Sequence, residues 1–255
     1  MLVSIITPAY NAAKLIPHTI NSVLAQTYTE WEMIIVNDGS KDETIAVVEE
    51  FIAQNTNENG ECKIKLITQE NGGSAKARNT GIKAANGRYI ALLDSDDVWD
   101  AEFLQSQLEL MKQKDAVLVY GSYRRINEKG EEILRPLIAT EKTDYKDMTW
   151  LNRVGCLTGV YDTQKFGKIY FDESLKSLLD DYDYWLRIVQ KCGVAYGSQK
   201  VLSSYRIFAS QTTGKKSKLV GVHYRFYRNH LKMGVLESVA HTIYWGVAGF
   251  FKFLR

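Results

Sequence analysis

The clearest chemical signal in the sequence is a pair of aspartates, Asp94 and Asp96, separated by one serine. They follow the apolar segment 88–93, which is typical of a buried strand. Side chains at positions i and i+2 of an extended backbone point to the same side, so both carboxylates should face one space. Their oxygens suit Mg²⁺ or Mn²⁺, and such an ion would neutralise a departing diphosphate. We therefore favour a metal site over the alternative, an acidic turn that caps the next helix.

Two further side chains are candidates for holding a nucleotide. Asp38 lies in an Asn-Asp-Gly-Ser turn, where its carboxylate could accept the N–H of a uracil ring or simply form an Asx-turn or N-cap. Arg78 follows the pair Gly72 and Gly73, which permits close backbone approach at a helix start. Arg78 could reach a base carbonyl or a phosphate, or it could be a solvated helix residue. The residues alone leave these alternatives open.

A second acidic cluster begins at Asp180 and Asp181, directly before a helix-like segment with an aromatic face. One of these carboxylates could act as a general base for an attacking hydroxyl. The alternative is ordinary capping of the helix N-terminus, which aspartate also favours. Composition does not choose between the two.

These candidates need a scaffold, and the first 120 residues supply an alternating pattern of strands and helices. Strands are predicted at 2–7, 31–36, 62–68, 88–93 and 116–120. Helices are predicted at 12–25, 40–54, 74–85 and 101–114, the second opened by a capping box of Ser40 and Glu43. This order predicts an α/β fold whose mainly parallel sheet has helices on both faces. The loops that carry the candidates all follow strands, so they should meet at one edge of the sheet.

The pattern changes after residue 120. A hairpin is predicted at 124–134, a helix at 181–191 and a strand at 199–207. The segment from 218 to about 236 is amphipathic, with apolar residues on one face and basic residues on an adjacent one.

Four segments together resemble the family 2 glycosyltransferases of the GT-A fold. They are residues 3–11, 34–40, 71–81 and 94–97, which match in residue type, order and spacing. Segments of the second half also match, among them 154–158, 181–186 and 204–206, so the resemblance covers residues 1 to about 210. It implies a domain at 1–214, with a nucleotide-sugar-binding half at 1–100 and an acceptor half at 101–214, followed by a helical tail at 215–255.

The resemblance also implies a role for each matching residue. Asp181, the second member of an acidic pair, would be the catalytic base, and Asp96 would hold Mn²⁺ or Mg²⁺ together with Asp94. The residues implied to bind the nucleotide are Pro8, Ala9, Tyr10, Asp38, Arg78, Asp94 and Ser95. Two residues depart from the pattern: Asp180 stands where glutamate is usual, and Phe208 stands where many members have a histidine that helps to hold the metal.

The activity implied is an inverting transfer from a nucleotide-sugar, most simply a UDP-sugar, to an acceptor hydroxyl. The acceptor would be a lipid-linked or polysaccharide precursor in cell-surface polysaccharide synthesis. A sugar-nucleotide pyrophosphorylase would instead need a glycine-rich basic loop after the first strand, and a dinucleotide oxidoreductase a G-x-G-x-x-G sequence. The segment 8–11 has neither. A binding module without catalysis is disfavoured because Asp96 and Asp181 are both present.

Charge and cysteine content set the remaining expectations. The chain has 255 residues and a net charge of +2, but residues 215–255 carry +7 and residues 1–214 carry −5. An acidic body disfavours nucleic-acid binding, whereas a basic tail with many aromatic residues suits an anionic membrane interface. Packing on the body or a homodimer contact are the alternatives for the tail. Without a basic leader, a long apolar run or paired cysteines, we expect a cytoplasmic protein at the inner face of the cell membrane.

Overall fold

The structure is a computed structural model that describes residues 1–175, 179–208 and 216–254. The predicted boundary between body and tail at 214/215 and the tail's last residue, Arg255, lie outside the described residues.

The N-terminal half is built on four parallel strands rich in β-branched residues, which favour the extended backbone. They are β1 (Val3–Ala9), β2 (Trp31–Asp38), β3 (Ile64–Gln69) and β4 (Tyr89–Leu92), in the spatial order β3-β2-β1-β4. The connecting helices are α1 (Ile16–Leu24), α2 (Thr44–Gln54) and α3 (Ser74–Ala84). This alternation confirms the predicted α/β organisation and puts the carboxyl ends of all four strands at one edge.

The sheet continues beyond β4 as a mixed sheet in the order β9-β6-β10-β5. The β6–β7 pair forms the predicted hairpin. The elements of this half are β5 (Val98–Trp99), α4 (Phe103–Lys114), β6 (Leu118–Ile126), β7 (Glu132–Leu137), β8 (Lys142–Asp144), α5 (Tyr145–Trp150), β9 (Val160–Asp162), α6 (Asp180–Cys192) and β10 (Val194–Arg206).

Alternating side chains of the central strands feed two hydrophobic cores. Ile5, Met33 and Ile35 face a core shared with α1, α2 and α4. Ile6 and Ile34 face the opposite core, which α3 and α6 cover. Because the side chains of a strand alternate between faces, strands this apolar on both sides require helices on both sides.

The predicted start of the second helix was wrong. Helix α2 begins at Thr44 rather than at Ser40, and no side-chain capping bond is made at Glu43. Ser40 instead accepts a hydrogen bond from the Asn11 backbone N–H, and Asp42 accepts one from that of Thr44. A contact 29 residues away in the chain therefore replaces the local capping box.

The amphipathic segment from 218 to about 236 does not form one continuous α-helix. Helix α7 (Lys216–Arg225) continues as a π-helical turn over residues 226–230, and a separate helix α8 (Val235–Leu254) follows. The break lies at Lys232, which has a φ of 59°, and at Gly234. Phe226 and Tyr227 are buried in the core that α6 covers, so this part of the tail packs on the body.

Helix α8 lies against α5 and α7 through ring stacking. Trp150 stacks on His241 with ring centroids 3.7 Å apart, and His223 stacks on Trp245 at the same separation. Within the described ranges, we find no helix whose length and apolarity would allow it to cross a bilayer.

Candidate active site

The candidate site is a cavity of about 690 Å³ at the carboxyl ends of the parallel strands. The loops that follow β1, β2, β3 and β4 all reach it, which confirms that they share one edge of the sheet. The lining residues are Pro8, Ala9, Tyr10, Asn11, Ala12, Leu15, Asp38, Asn71, Gly73, Ser74, Ala77, Arg78, Asp94, Ser95, Asp96 and Phe208. Asp181, the predicted base, is not among them. Asp181 directly follows Asp180, whose carboxylate accepts a hydrogen bond from Arg78 of the cavity wall.

Asp38 organises the loop that precedes α3. Its carboxylate accepts hydrogen bonds from the backbone N–H groups of Gly72 (2.9 Å) and Gly73 (2.8 Å) and from the side chain of Gln69 (2.7 Å). Gly73 has a φ of 87°, a conformation that favours glycine, and it directly precedes the first turn of α3. Asp38 is therefore a loop-fixing residue whose carboxylate borders the cavity.

Arg78 forms a buried bridge between two parts of the site. Its guanidinium donates to Asp94 at 2.7 Å and to Asp180 at 2.8 Å, and it lies 5.3 Å from the centroid of the Phe171 ring. Burial alone would lower the pKa of Arg78, but the neighbouring negative charges, led by Asp94, raise it well above its ordinary value. Arg78 is thus a permanent cation that ties the end of β4 to the start of α6.

Asp94 and Asp96 lie on a turn, so the predicted extended backbone was wrong. The Asp97 N–H donates to the Asp94 carbonyl at 3.1 Å, which closes the turn. Asp94, Ser95 and Asp96 nevertheless all line the cavity. Burial, and next the charge of Asp94, raises the pKa of Asp96 to about 6. Two crowded carboxylates of this kind create a position that a cation would stabilise.

The donor set fits a metal ion that the substrate completes. No group of three or more His, Cys, Asp or Glu side chains in the described part of the chain is arranged to hold a metal. Mg²⁺ is usually held by one or two carboxylates plus waters and substrate phosphates rather than by an all-protein cage. Asp94 and Asp96 could supply those carboxylates.

Asp180 and Asp181 begin helix α6 in different surroundings. Asp180 accepts hydrogen bonds from Arg78 and, at 3.0 Å, from the Ser74 hydroxyl, whereas neither of these bonds goes to Asp181. Burial, and next the charge of Asp180, raises the pKa of Asp181 to about 6. A carboxylate with such a pKa is basic enough to accept a proton and still ionised near neutrality.

Arg206 holds the site together, although no sequence pattern indicated a role for this residue. Its backbone N–H donates to the Asp97 carboxylate and its Nε to the Asp96 carbonyl, both at 2.8 Å. Its Nη1 donates to the Asn127 carbonyl of the β6–β7 hairpin, also at 2.8 Å. Segment 204–206 was part of the resemblance, but only the fold brings it to the acidic turn, 110 residues away.

Comparison with known proteins identifies the family. The sequence model described as "Glycosyl transferase family 2" matches residues 4–184, which is more than half of the chain. The chain belongs to glycosyltransferase family 2. Enzymes of this family generally use a divalent metal ion.

Two relatives extend over most of this family 2 chain. The teichuronic acid biosynthesis glycosyltransferase TuaG of Bacillus subtilis is 34% identical over 93% of this chain and 91% of its own length. The UDP-Glc:alpha-D-GlcNAc-diphosphoundecaprenol beta-1,3-glucosyltransferase WfgD of Escherichia coli is 37% identical over 85% of this chain and 81% of its own. The predicted family is confirmed, and a teichuronic acid biosynthesis glycosyltransferase, which segments 154–158, 181–186 and 204–206 resemble, is among the relatives.

A solved structure shares the fold. Residues 1–349 of TarS from S. aureus, in complex with UDP, match with a TM-score of 0.70 at 20% identity, over 95% of this chain and 71% of that one. The predicted GT-A fold is confirmed.

Proposed function

We propose that this enzyme transfers a sugar from a UDP-sugar, with inversion, to a hydroxyl of a lipid-linked acceptor in cell-surface polysaccharide synthesis. The observation that carries the proposal is the meeting of Asp38, Arg78, Asp94 and Asp96 in one cavity, beside the helix start that bears Asp181. Residues 1–100 supply most of the donor side, and residues 101–214 supply the acceptor side.

The donor's nucleotide lies along the loops after β1 and β2. Pro8 and Ala9 line the wall of a base pocket, and Tyr10, which is 50% exposed, stacks on the base. The Asp38 Oδ1 accepts from Gln69 and Gly72 and its Oδ2 from Gly73, so we assign the uracil N3–H to Oδ2. Guanine would also need a partner for its amino group, so UDP should be preferred to GDP.

The diphosphate lies at the acidic turn. Asp94 and Asp96, which line the cavity, would hold Mn²⁺ or Mg²⁺, and Ser95 and Asp94 would border the ribose. The ion, when bound, neutralises the charge that develops on the leaving diphosphate. Arg78 keeps Asp94 in position and compensates part of the negative charge of the site.

Asp181 is the general base. It removes the proton of the acceptor hydroxyl, whose oxygen then attacks the anomeric carbon from the face opposite the diphosphate, so the configuration inverts. Asp180 cannot serve as easily, because Arg78 and Ser74 occupy its Oδ2 oxygen. The lipid-linked acceptor is supported by the relative WfgD, whose named acceptor is a sugar diphosphoundecaprenol.

Membrane contact is the proposed role of the tail. The outward face of α8 carries Leu236, Val239, Ile243 and Val247, which are 86%, 41%, 61% and 52% exposed. Its inward face carries Ser238, His241 and Thr242, each of which bonds a backbone carbonyl of the same segment. A helix with its apolar stripe outward and basic residues nearby suits a membrane interface.

The test is release of nucleoside diphosphate from a panel of nucleotide-sugars, with and without acceptor and metal. We expect UDP-sugars to be turned over in Mn²⁺ or Mg²⁺ and UDP to bind more tightly than GDP in calorimetry. Preference for GDP would refute the assigned base pocket, and turnover of no UDP-sugar would refute the proposed activity.

A further inference from the structure

A second cavity, of about 480 Å³, lies where the tail meets the body. Apolar side chains form one part of its wall, among them Leu179, Val222 and Phe226. Polar side chains form another part, among them Arg225, Asn229 and His230. The catalytic scheme above uses none of these residues.

Adjacent residues at the start of helix α6 contact the two cavities. Leu179 lines the second cavity, and the next residue, Asp180, is bonded to Arg78 of the donor cavity. Asp181 follows directly, so the proposed base is two residues along the chain from a wall residue of the second cavity. A bond of 2.8 Å from Asn79 of α3 to Glu173 also connects the donor side to the turn that borders the second cavity.

The polar part of the wall suits an anion. Arg225 is exposed, and none of the ion pairs among the described residues involves it. The His230 Nε2 lies 2.7 Å from the Asp183 carboxylate, which fixes the ring. Asp183 also receives a bond from Arg187, and Asp172 lies 3.9 Å from the other ring nitrogen. Among the described wall residues, Arg225 is therefore a cation without an ion-pair partner, and the Asn229 amide is a second donor.

We propose that this cavity binds the diphosphate and the first part of the lipid chain of the acceptor. Arg225 and Asn229 hold the diphosphate, because a guanidinium fork and an amide match phosphate oxygens. Leu179, Val222 and Phe226 contact the apolar chain. The inference rests on the proposed function for its acceptor, and it explains why a cationic group and an apolar wall occur together in a cavity that borders the start of α6.

Binding of farnesyl diphosphate tests the site without requiring sugar transfer. By calorimetry on the full chain, we expect Arg225→Gln to weaken binding roughly tenfold or more, as for loss of a charge-assisted contact. The matched control is Arg228→Gln, which removes the same charge from an exposed arginine that bonds the Met233 carbonyl and does not line the cavity. The affinity of Arg228→Gln for farnesyl diphosphate should equal that of the wild type. Saturating UDP should not displace farnesyl diphosphate from the wild type. Thermal unfolding of both variants verifies that they fold.

Three results would overturn the proposal: no binding by the wild type, equal binding by Arg225→Gln, or displacement by UDP, which would place the ligand in the donor cavity. In transfer assays, the KM for a sugar-diphospholipid should rise in Arg225→Gln, while the KM for the UDP-sugar and for a diphosphate-free alkyl glycoside acceptor should not. If the wild type binds farnesyl diphosphate through Arg225 but transfers no sugar, the proposed function is contradicted, whereas the proposed diphosphate-binding site is supported.

Discussion

Asp180 and Asp181 are neighbours in sequence, yet the fold gives them different tasks. Asp180 is held by a buried arginine and a serine, so its charge is compensated. Asp181 is desolvated next to that charge, and its pKa rises to about 6. The sequence could not choose between two consecutive carboxylates. The choice depends on Arg78, which is 102 residues away from Asp180.

Replacement of the base should slow the reaction without loss of donor binding. Asp181→Asn retains size but not basicity, so we expect kcat to fall by roughly 10²–10⁴-fold. Calorimetry with UDP and metal should give an unchanged Kd. If Asp180→Asn loses more turnover while still binding UDP and folding normally, the base has been assigned to the wrong residue of the pair.

The pH dependence of turnover should report the same residue. Because the active form of Asp181 is the carboxylate, and its pKa is raised to about 6, the rate should fall as pH is lowered through about 6. The measurement is kcat/KM between pH 5 and 8, because kcat/KM reports the pKa of the free enzyme and this window brackets that value on both sides. The residual rate of Asp181→Asn should lack this inflection, and an unchanged inflection would assign it to another group.

The acidic turn should make activity dependent on metal. EDTA should abolish turnover, and added Mn²⁺ or Mg²⁺ should restore it, because the ion compensates Asp94, Asp96 and the diphosphate. Asp96→Asn should lose the metal-dependent part of UDP affinity. Asp115→Asn is a suitable control, since Asp115 is exposed and has a φ of 48°, which asparagine tolerates. Full activity in chelator would exclude the assigned metal role.

At the scale of the elements, periodicity in the sequence was enough to predict the parallel strands and the edge at which their loops meet. Sequence patterns predicted the wrong local structure where a contact with a distant residue replaces a local one. Ser40 bonds Asn11 rather than a helix start, and the acidic segment closes a turn that Arg206 holds from the far end of β10. Sequence patterns describe local preference, and these positions are decided by tertiary contacts.

The Arg78 bridge should be important for stability as well as for the site. Arg78→Gln leaves Asp94 and Asp180 without their shared cation, so we expect a loss of about 3–5 kcal/mol in the free energy of unfolding. Urea unfolding measures this loss. Arg124→Gln removes a more exposed pair with Asp100 and should cost about 1 kcal/mol or less. Equal losses in the two variants would contradict a bridging role for Arg78.

At the scale of the whole molecule, the tail is both packed and exposed. Phe226 and Tyr227 belong to the core, so a chain that ends before them would lose core packing. The apolar stripe of α8 faces outward, and tail packing and membrane contact are therefore compatible. The sequence presented them as alternatives because the two faces of α8 could not be assigned before its neighbours were known.

Membrane binding should depend on that stripe. Wild-type protein should co-sediment with vesicles that contain phosphatidylglycerol, bind neutral vesicles poorly, and be released by high salt. The double variant Leu236→Ser/Ile243→Ser should stay in the supernatant. A control variant, Ile133→Ser/Ile138→Ser, removes two exposed apolar side chains of the body and should bind like the wild type. Equal sedimentation of both variants would contradict the membrane role, and stripe-dependent self-association in solution would indicate a homodimer instead.

The central claim is that the enzyme transfers a sugar with inversion and that Asp181 is its base. The most direct test is the anomeric configuration of the product formed from an α-linked UDP-sugar, read by NMR for the wild type and for Asp181→Asn. We predict a β-linked product from the wild type and the same product, formed far more slowly, from the variant. An α-linked product, or a variant that is as fast as the wild type, would contradict the claim.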